Sequence, residues 1–303
     1  MDVTNAIINF RRHLKRKNYS PHTVKNYINM LQHYIRWLIV PVEEATQGNI
    51  ASYIDFLMDK RLHPKTINCH LVCLRIFYDF LHYEEKHNIV NPVRKGIALR
   101  MPSPLPRYVK DEELDALFAM INKHRDRAMF TLMLRCGLRV EEVAHLTLTA
   151  VDLQRRRIVV HNGKGQKDRI VYISDDAYLA LDQYLRLRPK SRENKFFLVE
   201  KGTCKGKGIS VRGIQKRMEY YTKKAGLKIS CHHLRHTMAT QMLNADADLS
   251  TIQDLLGHNW ITTTQKYCTV FNLKIQRDYF KAMDIVMQRS SPITLIPQSR
   301  SKH

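Results

Sequence analysis

The segment HHLRH at residues 232–236 decides how the rest of this chain is interpreted. LGH follows at residues 256–258, and Tyr267 stands nine residues after the histidine of that tripeptide. Arg139 and Lys164 lie upstream of all three. Guanidinium, ammonium, imidazole and phenol groups in this combination are those needed to attack a phosphodiester with a side-chain hydroxyl. We therefore expect phosphodiester chemistry that does not depend on metal-binding carboxylates.

The charge of the chain points to a polyanionic partner. Its 303 residues include 50 lysines and arginines against 28 aspartates and glutamates, which gives a formal net charge of +22. Basic surfaces gain affinity for nucleic acids by displacing counterions from the phosphates, whereas a surface that serves solubility alone is usually mixed in sign. Because 44% of the residues are hydrophobic, ordinary cores can form, and we predict a folded nucleic-acid-binding protein.

Cysteine usage and the N-terminus indicate the compartment. The six cysteines form no CxxC pair and lack the spacing of secreted domains, which predicts free thiols in a reducing environment. The sequence contains no signal peptide and no apolar stretch long enough to span a bilayer. We expect a bacterial cytoplasmic protein that lies beside the nucleoid DNA and has no membrane partner.

Helical signals fill the first part of the chain. Ser20 and Pro21 are typical of an N-cap and a first helical position, and apolar residues follow them at helical spacing. A shorter helix is predicted over 49–60, and another begins near Lys65. Residues 1–97 are therefore predicted to form a small helical domain, for which the family resemblance given below implies DNA binding.

A proline-rich segment separates this domain from the rest of the chain. Three of the five residues at 102–106 are prolines, and proline holds the backbone extended and prevents helix formation. We predict a semi-rigid linker at 98–108, a catalytic domain at 109–289 and a flexible C-terminal tail at 290–303.

Helix and strand patterns are mixed in the second half. Two β-rich runs at 157–161 and 169–173 are joined by the turn sequence NGKGQ, which predicts an antiparallel hairpin. The pattern predicts helices at 110–122, 125–135, 140–146, 210–224, 232–243 and 262–267, and another that begins at Ser174. Gly137 is predicted to stop the helix at 125–135. A further short helix is predicted to begin with a capping box at Ser250 and to end at Gly257. The predicted fold class is α+β, mostly α, with a small antiparallel sheet in the C-terminal domain.

The arginines and histidines of the second half favour a phosphate site. His232 and Arg235 are three residues apart on a predicted helix, so their side chains leave the same face. Arg139 enters from another predicted helix, and two arginine forks would neutralise the charge that builds on the non-bridging oxygens of a reacting phosphate. A single arginine in so basic a chain is usually a solvated surface residue, so the prediction rests on the whole set.

Metal binding is the alternative interpretation of the same histidines. His232 and His236 have the i, i+4 spacing of the zinc motif HExxH, but a histidine follows His232 where that motif places its general base. Cys69 and Cys73 form another candidate pair on an N-terminal helix, where packing on a buried face is favoured. We predict neither a metal nor a cofactor.

The ordered segments resemble those of a known family. They are GLRVEE at 137–142, GKG at 163–165, HHLRH at 232–236, LGH at 256–258 and Tyr267. Their order and spacing resemble the catalytic domain of the tyrosine recombinases, also called the phage integrase family. The N-terminal helices resemble that family's SAM-like core-binding domain. Because those helices begin almost at once, the chain looks like the simple two-domain members of the Xer or transposon-resolving type.

The resemblance implies a role for each of these residues. Tyr267 would attack the scissile phosphate, forming a 3′-phosphotyrosyl link and releasing a 5′-hydroxyl. Because a phenol has an ordinary pKa of about 10, it needs a positive field, which Arg139 and Arg235 would supply. His232 would accept the phenolic proton, and Lys164 would protonate the leaving 5′-oxygen as general acid.

Supporting roles follow from the same resemblance. His258 would hydrogen-bond the phosphate, and Glu142, one turn into its predicted helix, would orient a cationic neighbour. Simpler interpretations are that Lys164 is a solvated turn residue and that His258 caps the preceding helix. Tyr279 is a competing tyrosine, but the spacing from His258 selects Tyr267.

The resemblance also implies a substrate and an assembly. The substrate would be double-stranded DNA with inverted core-site repeats, bound by a homotetramer on paired sites, with an accessory protein or a partner recombinase as an open addition. The reaction would be site-specific recombination, in mobile-element integration or resolution or in dimer resolution. A type IB-like topoisomerase and a non-catalytic DNA-binding regulator on the same scaffold are the alternatives.

Overall fold

The computed structural model of the chain describes residues 2–85, 89–94, 96–101, 108–161 and 168–257, together with residues 279 and 283. The chain divides into two compact units, Met1–Ser103 and Pro104–His303. The prolines of the predicted linker, the predicted tail at 290–303 and the helix predicted at 262–267 lie outside the described residues, and the limits of the predicted domains stay predictions. In the described part of the chain, no helix has the length and apolar character needed to cross a membrane.

The N-terminal unit is built from helices. They are α1 (Val3–Arg16), α2 (Pro21–Trp37), α3 (Gln47–Asp59) and α4 (Pro64–Tyr83), with a 3₁₀ turn at Val42–Glu44. The hydroxyl of Ser20 accepts a hydrogen bond from the backbone N–H of Thr23, and Pro21 is the first helical residue, which confirms the predicted start of α2. The helices predicted over 49–60 and from Lys65 are confirmed as α3 and α4, and α1 is an additional helix.

The core of this unit is rich in aromatic side chains whose polar atoms are paired. The buried hydroxyl of Tyr53 lies 2.8 Å from Nδ1 of His33 and 3.0 Å from Nδ1 of His70. Cys73 is also buried, and its thiol donates to the carbonyl of Tyr27 at 3.2 Å. Because these polar atoms have partners inside the protein, they can be buried without a large desolvation cost.

The C-terminal unit combines helices with a small sheet. Its described helices are α5 (Asp111–Met120), α6 (His124–Arg135), α7 (Val140–His145), α8 (Asp175–Leu187), α9 (Val211–Lys224), α10 (Cys231–Asn244) and α11 (Leu249–Leu256). Its described strands are β1 (Val151–Asp152), β2 (Arg157–Val160) and β3 (Arg169–Tyr172). The buried helix α6 lies in the middle of this unit and contacts both α8 and α10.

The three strands form an antiparallel sheet in the order β1-β2-β3. On β2, Ile158 pairs with β1 on one side and with Val171 of β3 on the other. Both residues are buried, whereas Ile170 and Tyr172 of β3 are exposed, so alternate residues of β3 face the core. The paired strands confirm the predicted hairpin, whose connecting residues 162–167 lie outside the described part.

Two glycines bring the end of α6 against the end of α11. Gly137 has a φ of +64° and Gly257 a φ of +60°, both in the left-handed region that favours glycine. A Cβ atom on Gly137 would lie 2.9 Å from Cδ2 of Leu256. A side chain at position 137 would therefore separate the two helix ends. The predicted helix stops at both glycines are confirmed.

The start of α11 differs from the prediction. The helix begins at Leu249 with Asp248 as its N-cap, so the capping box predicted at Ser250 is wrong. The physical reason is that the carbonyl of Asp248 already accepts the first helical hydrogen bond, from the backbone N–H of Ile252 at 3.0 Å. Ser250 consequently lies within the first turn of the helix.

Candidate active site

Arg139 is the N-cap residue of α7, and its contacts define one side of the site. Its backbone N–H donates to Oε2 of Glu142 at 2.7 Å, and its Nη1 donates to Oε1 at 2.8 Å. An acid is favoured in the first turn of a helix, where backbone N–H groups have no helical partner. The side chain of Arg139 is 22% exposed, so it is not fully enclosed by the protein.

Glu142 is the shared anion of the site. Its Oε1 and Oε2 accept hydrogen bonds from Nη1 and Nη2 of Arg169, both at 2.8 Å, and Oε2 lies 3.9 Å from Nη1 of Arg235. Burial alone would raise the pKa of this carboxyl. The hydrogen bonds and charge of Arg169, followed by those of Arg139, outweigh burial and lower the pKa from 4.5 to about 2. Glu142 is therefore a fixed negative charge near neutral pH.

The C-terminal end of α11 binds three arginines through its backbone. The consecutive carbonyls of residues 255–257 each accept a hydrogen bond from one of them, in the order Arg169, Arg235 and Arg139. The first of these bonds measures 2.8 Å and the last 3.1 Å. The final carbonyls of a helix have no partner within it and carry the negative end of its dipole. The helix end therefore stabilises a concentration of positive charge.

Arg235 is the most enclosed of the three arginines. It lies on α10, its side chain is 2% exposed, and its Nη1 donates to the carbonyl of Gly137. Its guanidinium therefore bridges the end of α6 and the end of α11, since Nη2 donates to the carbonyl of Leu256. A planar fork with several donors suits this position, where a lysine could not make both bonds in one plane.

The histidines of the HHLRH segment occupy the first turns of α10. His232 is exposed, and its ring centre lies 4.2 Å from that of His236 at an interplanar angle of 76°. Nδ1 of His233 accepts a hydrogen bond from the backbone N–H of Ser230, so this histidine caps the helix. The first turn of α10 thus presents His232 to solvent three residues before the buried Arg235.

The same segment does not have the donor set of a zinc site. Burial raises the pKa of the Cys231 thiol to about 11, so the thiol stays protonated near neutral pH. His233 already uses a ring nitrogen to cap α10. Within the described ranges of the chain, no three or more His, Cys, Asp and Glu side chains are grouped so that they could hold a metal ion.

The structure brings together three of the residues that the sequence selects. Arg139, Glu142 and Arg235 lie in one cluster, and His232 is on the helix that carries Arg235. The other selected residues, Lys164, His258 and Tyr267, lie outside the described part of the chain. Their positions in the site stay a prediction.

Arg169 is a site residue that the motifs do not identify. It is the first residue of β3 and lies on the same side of the strand as the buried Val171, while Ile170 and Tyr172 face solvent. This alternation signals an inward-facing arginine. A buried arginine needs an anion close to it, which the sequence pattern alone does not specify and Glu142 provides.

The charge balance of the cluster suits an anionic ligand. Three guanidinium groups surround a single carboxylate, so positive charge is in excess. The most exposed side chain of the three is that of Arg139, and an arginine fork matches two oxygens of a phosphate. The cluster can therefore attract a phosphodiester and hold charge that develops on its oxygens.

Comparison with protein families finds two matches. The profile described as the phage integrase family matches residues 107–273. A profile described as the N-terminal SAM-like domain of phage integrases matches residues 7–87. The two matches fall in different compact units of the chain.

Curated relatives are similar over nearly the whole chain. Tyrosine recombinase XerC of Staphylococcus haemolyticus is 31% identical over 278 residues, which cover 88% of this chain and 92% of the relative. Tyrosine recombinase XerA of Thermococcus kodakarensis is 31% identical over 295 residues, which cover 95% of this chain and 99% of the relative.

Solved structures share the fold. A crystal structure of XerA recombinase aligns with a TM-score of 0.53 at 27% identity, covering 92% of this chain and 98% of the other. The Tn1549 transposon integrase in complex with transposon right end DNA aligns with a TM-score of 0.75 at 17% identity, covering 92% and 99%. A lambda integrase dimer bound to a COC′ core site aligns with a TM-score of 0.74 at 16% identity, covering 90% and 97%.

Proposed function

This chain belongs to the phage integrase family of tyrosine recombinases, and on that premise we propose a role for each of its site residues. As a member of the family it is a site-specific recombinase, an enzyme that cleaves and rejoins DNA. The observation that supports the proposal is the cluster of Arg139, Arg169 and Arg235 around Glu142 at the end of α11. Its excess of positive charge suits the phosphate at which a strand is cut.

In the proposed cleavage step, Tyr267 attacks the scissile phosphorus. A bond forms between its phenolic oxygen and phosphorus, and the bond between phosphorus and the 5′-oxygen of the next nucleotide breaks. His232 accepts the phenolic proton and Lys164 donates a proton to the leaving 5′-oxygen. In the joining step a 5′-hydroxyl attacks the phosphotyrosine, so the phosphodiester is restored without an external energy source.

The remaining residues stabilise the charge of this reaction. Arg139, whose side chain is 22% exposed, contacts the non-bridging oxygens of the phosphate. Arg235 adds its charge from an enclosed position, and His258 donates a hydrogen bond to the same phosphate. Glu142 keeps the fork of Arg139 in place. Removing one well-placed donor of this kind costs a catalytic site about 10²- to 10³-fold in rate.

We propose double-stranded DNA with inverted core-site repeats as the substrate. The net charge of +22 supports a nucleic-acid ligand, and the Tn1549 and lambda integrases with the same fold were solved on DNA. Exchange of both strands between two sites cuts four strands, and each cut needs one nucleophile. We therefore propose a homotetramer on paired sites. An accessory protein or a partner recombinase is a further proposed partner.

The biological setting follows from the same reaction. We propose that the chain acts at DNA in the bacterial cytoplasm, beside the nucleoid, in mobile-element integration or resolution or in dimer resolution. A topoisomerase-like activity is not favoured, because the relatives that match over 88% and 95% of this chain are recombinases.

A covalent trapping experiment tests the nucleophile. On a nicked DNA substrate from which the leaving strand diffuses away, the wild-type chain should accumulate a protein–DNA adduct that resists denaturation. Tyr267→Phe should form none, and the control Tyr279→Phe should form as much as wild type, because Tyr279 is an exposed tyrosine without a proposed role. An adduct with Tyr267→Phe would refute the assignment.

A second substrate tests the general acid. We expect Lys164→Ala to slow cleavage of ordinary DNA by roughly 10²-fold or more, and to slow cleavage of a 5′-phosphorothiolate much less, because a thiolate leaves without a proton. An equal loss on both substrates would refute the role of Lys164.

A further inference from the structure

Arg169 connects several parts of the site, although no motif marks it. It is the first residue of β3, and its side chain is 8% exposed. We infer that Arg169 is a positioning residue for DNA cleavage, which holds Glu142 and the end of α11 so that Arg139 is aimed at the scissile phosphate. The inference rests on the proposed function and adds a residue to it.

The donors of Arg169 are used inside the protein. Its Nη1 and Nη2 donate to the two oxygens of Glu142, both at 2.8 Å, and its Nε donates to the carbonyl of Leu255 at 2.8 Å. A side chain that is buried and bonded in this way does not offer its fork to DNA. Arg169 therefore acts on the reaction through its neighbours.

Glu142 transmits the position of Arg169 to Arg139. Both oxygens of the carboxylate are held by the fork of Arg169, so the plane of the carboxylate is fixed. The same two oxygens accept from the backbone N–H and from Nη1 of Arg139, at 2.7 and 2.8 Å. Without Arg169, the carboxylate would be free to turn and the guanidinium of Arg139 would turn with it.

Arg169 also holds the end of α11. A Cβ atom on Gly257 would lie 3.0 Å from Cδ of Arg169 and 3.3 Å from its Nε, so the backbone at 257 and this side chain are in close contact. In the sequence, Gly257 immediately precedes His258, and Lys164 stands five residues before Arg169. One side chain thus ties the bases of two segments that carry proposed catalytic residues.

Arg125 provides a matched control in the same unit. Its side chain is likewise 8% exposed, donates to a buried carboxylate, that of Asp126, and donates from Nη1 to a backbone carbonyl, that of Leu198. It differs from Arg169 in having no contact with the arginine cluster. Arg125→Lys and Arg169→Lys therefore remove the same kind of buried fork while keeping the charge.

The experiment measures single-turnover cleavage of a nicked DNA substrate by the folded fraction of each variant. Arg169→Lys should slow formation of the covalent adduct by roughly 10-fold or more, with DNA affinity changed by less than about 3-fold, because misplacement of a catalytic group affects the rate more than binding. Arg125→Lys should cleave at the wild-type rate. Equal rates for wild type and Arg169→Lys would overturn the inference.

A double-mutant cycle separates positioning from a general loss of structure. If Arg169 acts through Arg139, then Arg169→Lys should cost less than about 3-fold when Arg139 is already lysine, since residues that act as a unit are not additive. A full 10-fold loss in that background would show a merely structural role and overturn the inference. Arg125→Lys in the same background should again change nothing.

A second pair of variants applies if Arg169→Lys does not fold. Gly257→Ala adds a methyl group against Arg169, whereas Gly226→Ala adds one at a similar positive φ of +68° with no atom within 4 Å. Both variants bear similar backbone strain, and only Gly257→Ala should slow cleavage. Equal rates for the two variants would overturn the inference alone, whereas a wild-type chain that forms no adduct would overturn the proposed function and this inference together.

Discussion

Two buried carboxylates of the C-terminal unit, those of Asp126 and Glu142, are both bound by arginines, but two arginines surround the first and three surround the second. Asp126 is fully buried, and the side chain of Glu142 is 9% exposed. Both carboxylates accept hydrogen bonds on both oxygens. The difference lies in the number of cations around each carboxylate and in the exposure of the carboxylate itself.

The Asp126 network is closed. Oδ1 accepts from Nε and Nη2 of Arg125 at 2.9 and 2.7 Å, and Oδ2 accepts from Arg217 at 2.7 Å and from the hydroxyl of Tyr221 at 3.0 Å. These bonds join α6 to α9, and a further bond from Arg125 to the carbonyl of Leu198 adds the segment after α8. Asp126 itself is 0% exposed, and its oxygens are bonded by side chains of α6 and α9, so the network serves the fold.

The Glu142 network is open on one side. Three arginines share this carboxylate, and the side chain of Glu142 itself is 9% exposed, whereas that of Asp126 is 0% exposed. The positive charge that Glu142 does not balance is held by the carbonyls at the end of α11. The comparison shows that one chemical pattern can join two helices of a core or prepare a site for an anion, depending on the surplus of cations around the carboxylate.

The largest expected effect comes from breaking the closed network. Asp126→Asn leaves two arginines around a neutral group, and breaking a buried pair in this way costs roughly 3–5 kcal/mol of unfolding free energy. Calorimetric or denaturant unfolding measures the loss, while the cleavage rate of the folded protein should stay at the wild-type value. A selective loss of cleavage with intact stability would mean that Asp126 belongs to the site.

Acid should act on the open network. The folded pKa of Glu142, about 2, lies below its ordinary value of 4.5, so the unfolded chain binds the proton more readily. The stabilisation is complete above about pH 5 and is lost as the pH falls towards 2, by on the order of 3 kcal/mol. Unfolding measured across this range should show a steeper dependence for wild type than for Glu142→Gln. Parallel curves would contradict the assignment.

Replacing an arginine by lysine should slow cleavage in the Glu142 network and leave it unchanged in the Asp126 network. Arg139→Lys keeps the charge but loses the fork, and we expect single-turnover cleavage to fall by roughly 10²-fold with little change in stability. Arg217→Lys is the matched variant, since its side chain is 31% exposed and it also binds a buried carboxylate. It should cleave as wild type, and a similar loss in both variants would remove the distinction.

The smallest effect is expected for an ion pair that is exposed on both sides. Arg212 and Glu219 of α9 pair at 2.8 Å, with side chains 63% and 58% exposed. Glu219→Gln should change the unfolding free energy by less than about 1 kcal/mol, because water and salt screen such pairs. A loss as large as that of Asp126→Asn would show that burial is not what separates these networks.

Local signals explain which elements the sequence predicts well. The Ser20–Pro21 start of α2 and the glycine stops of α6 and α11 depend on contacts within a few residues, and the structure confirms them. The two-residue strand β1 has no such signal, because it exists only by pairing with β2. The N-cap of α11 is Asp248, two residues before the predicted Ser250, because several polar residues compete for this position.

The residues of the site also differ in whether a local sequence signal predicts them. Its motifs select Arg139, Glu142 and Arg235 from the sequence, and the structure brings these three together. Arg169 carries only the weaker signal of an arginine at an inward-facing strand position. That signal predicts that the side chain is buried. It does not predict which anion pairs with it, because the partner, Glu142, lies on a helix 27 residues away in the sequence.

The amino-acid sequence alone determines the family, the order of the reactive groups and the boundaries of most helices, because these are properties of side-chain type and spacing. Only the tertiary structure shows that the last carbonyls of α11 receive three arginines from β3, α10 and the start of α7. Every residue carries the same carbonyl group, so no residue pattern records which carbonyls lie at a helix end against a cation. That contact depends on how the helices pack.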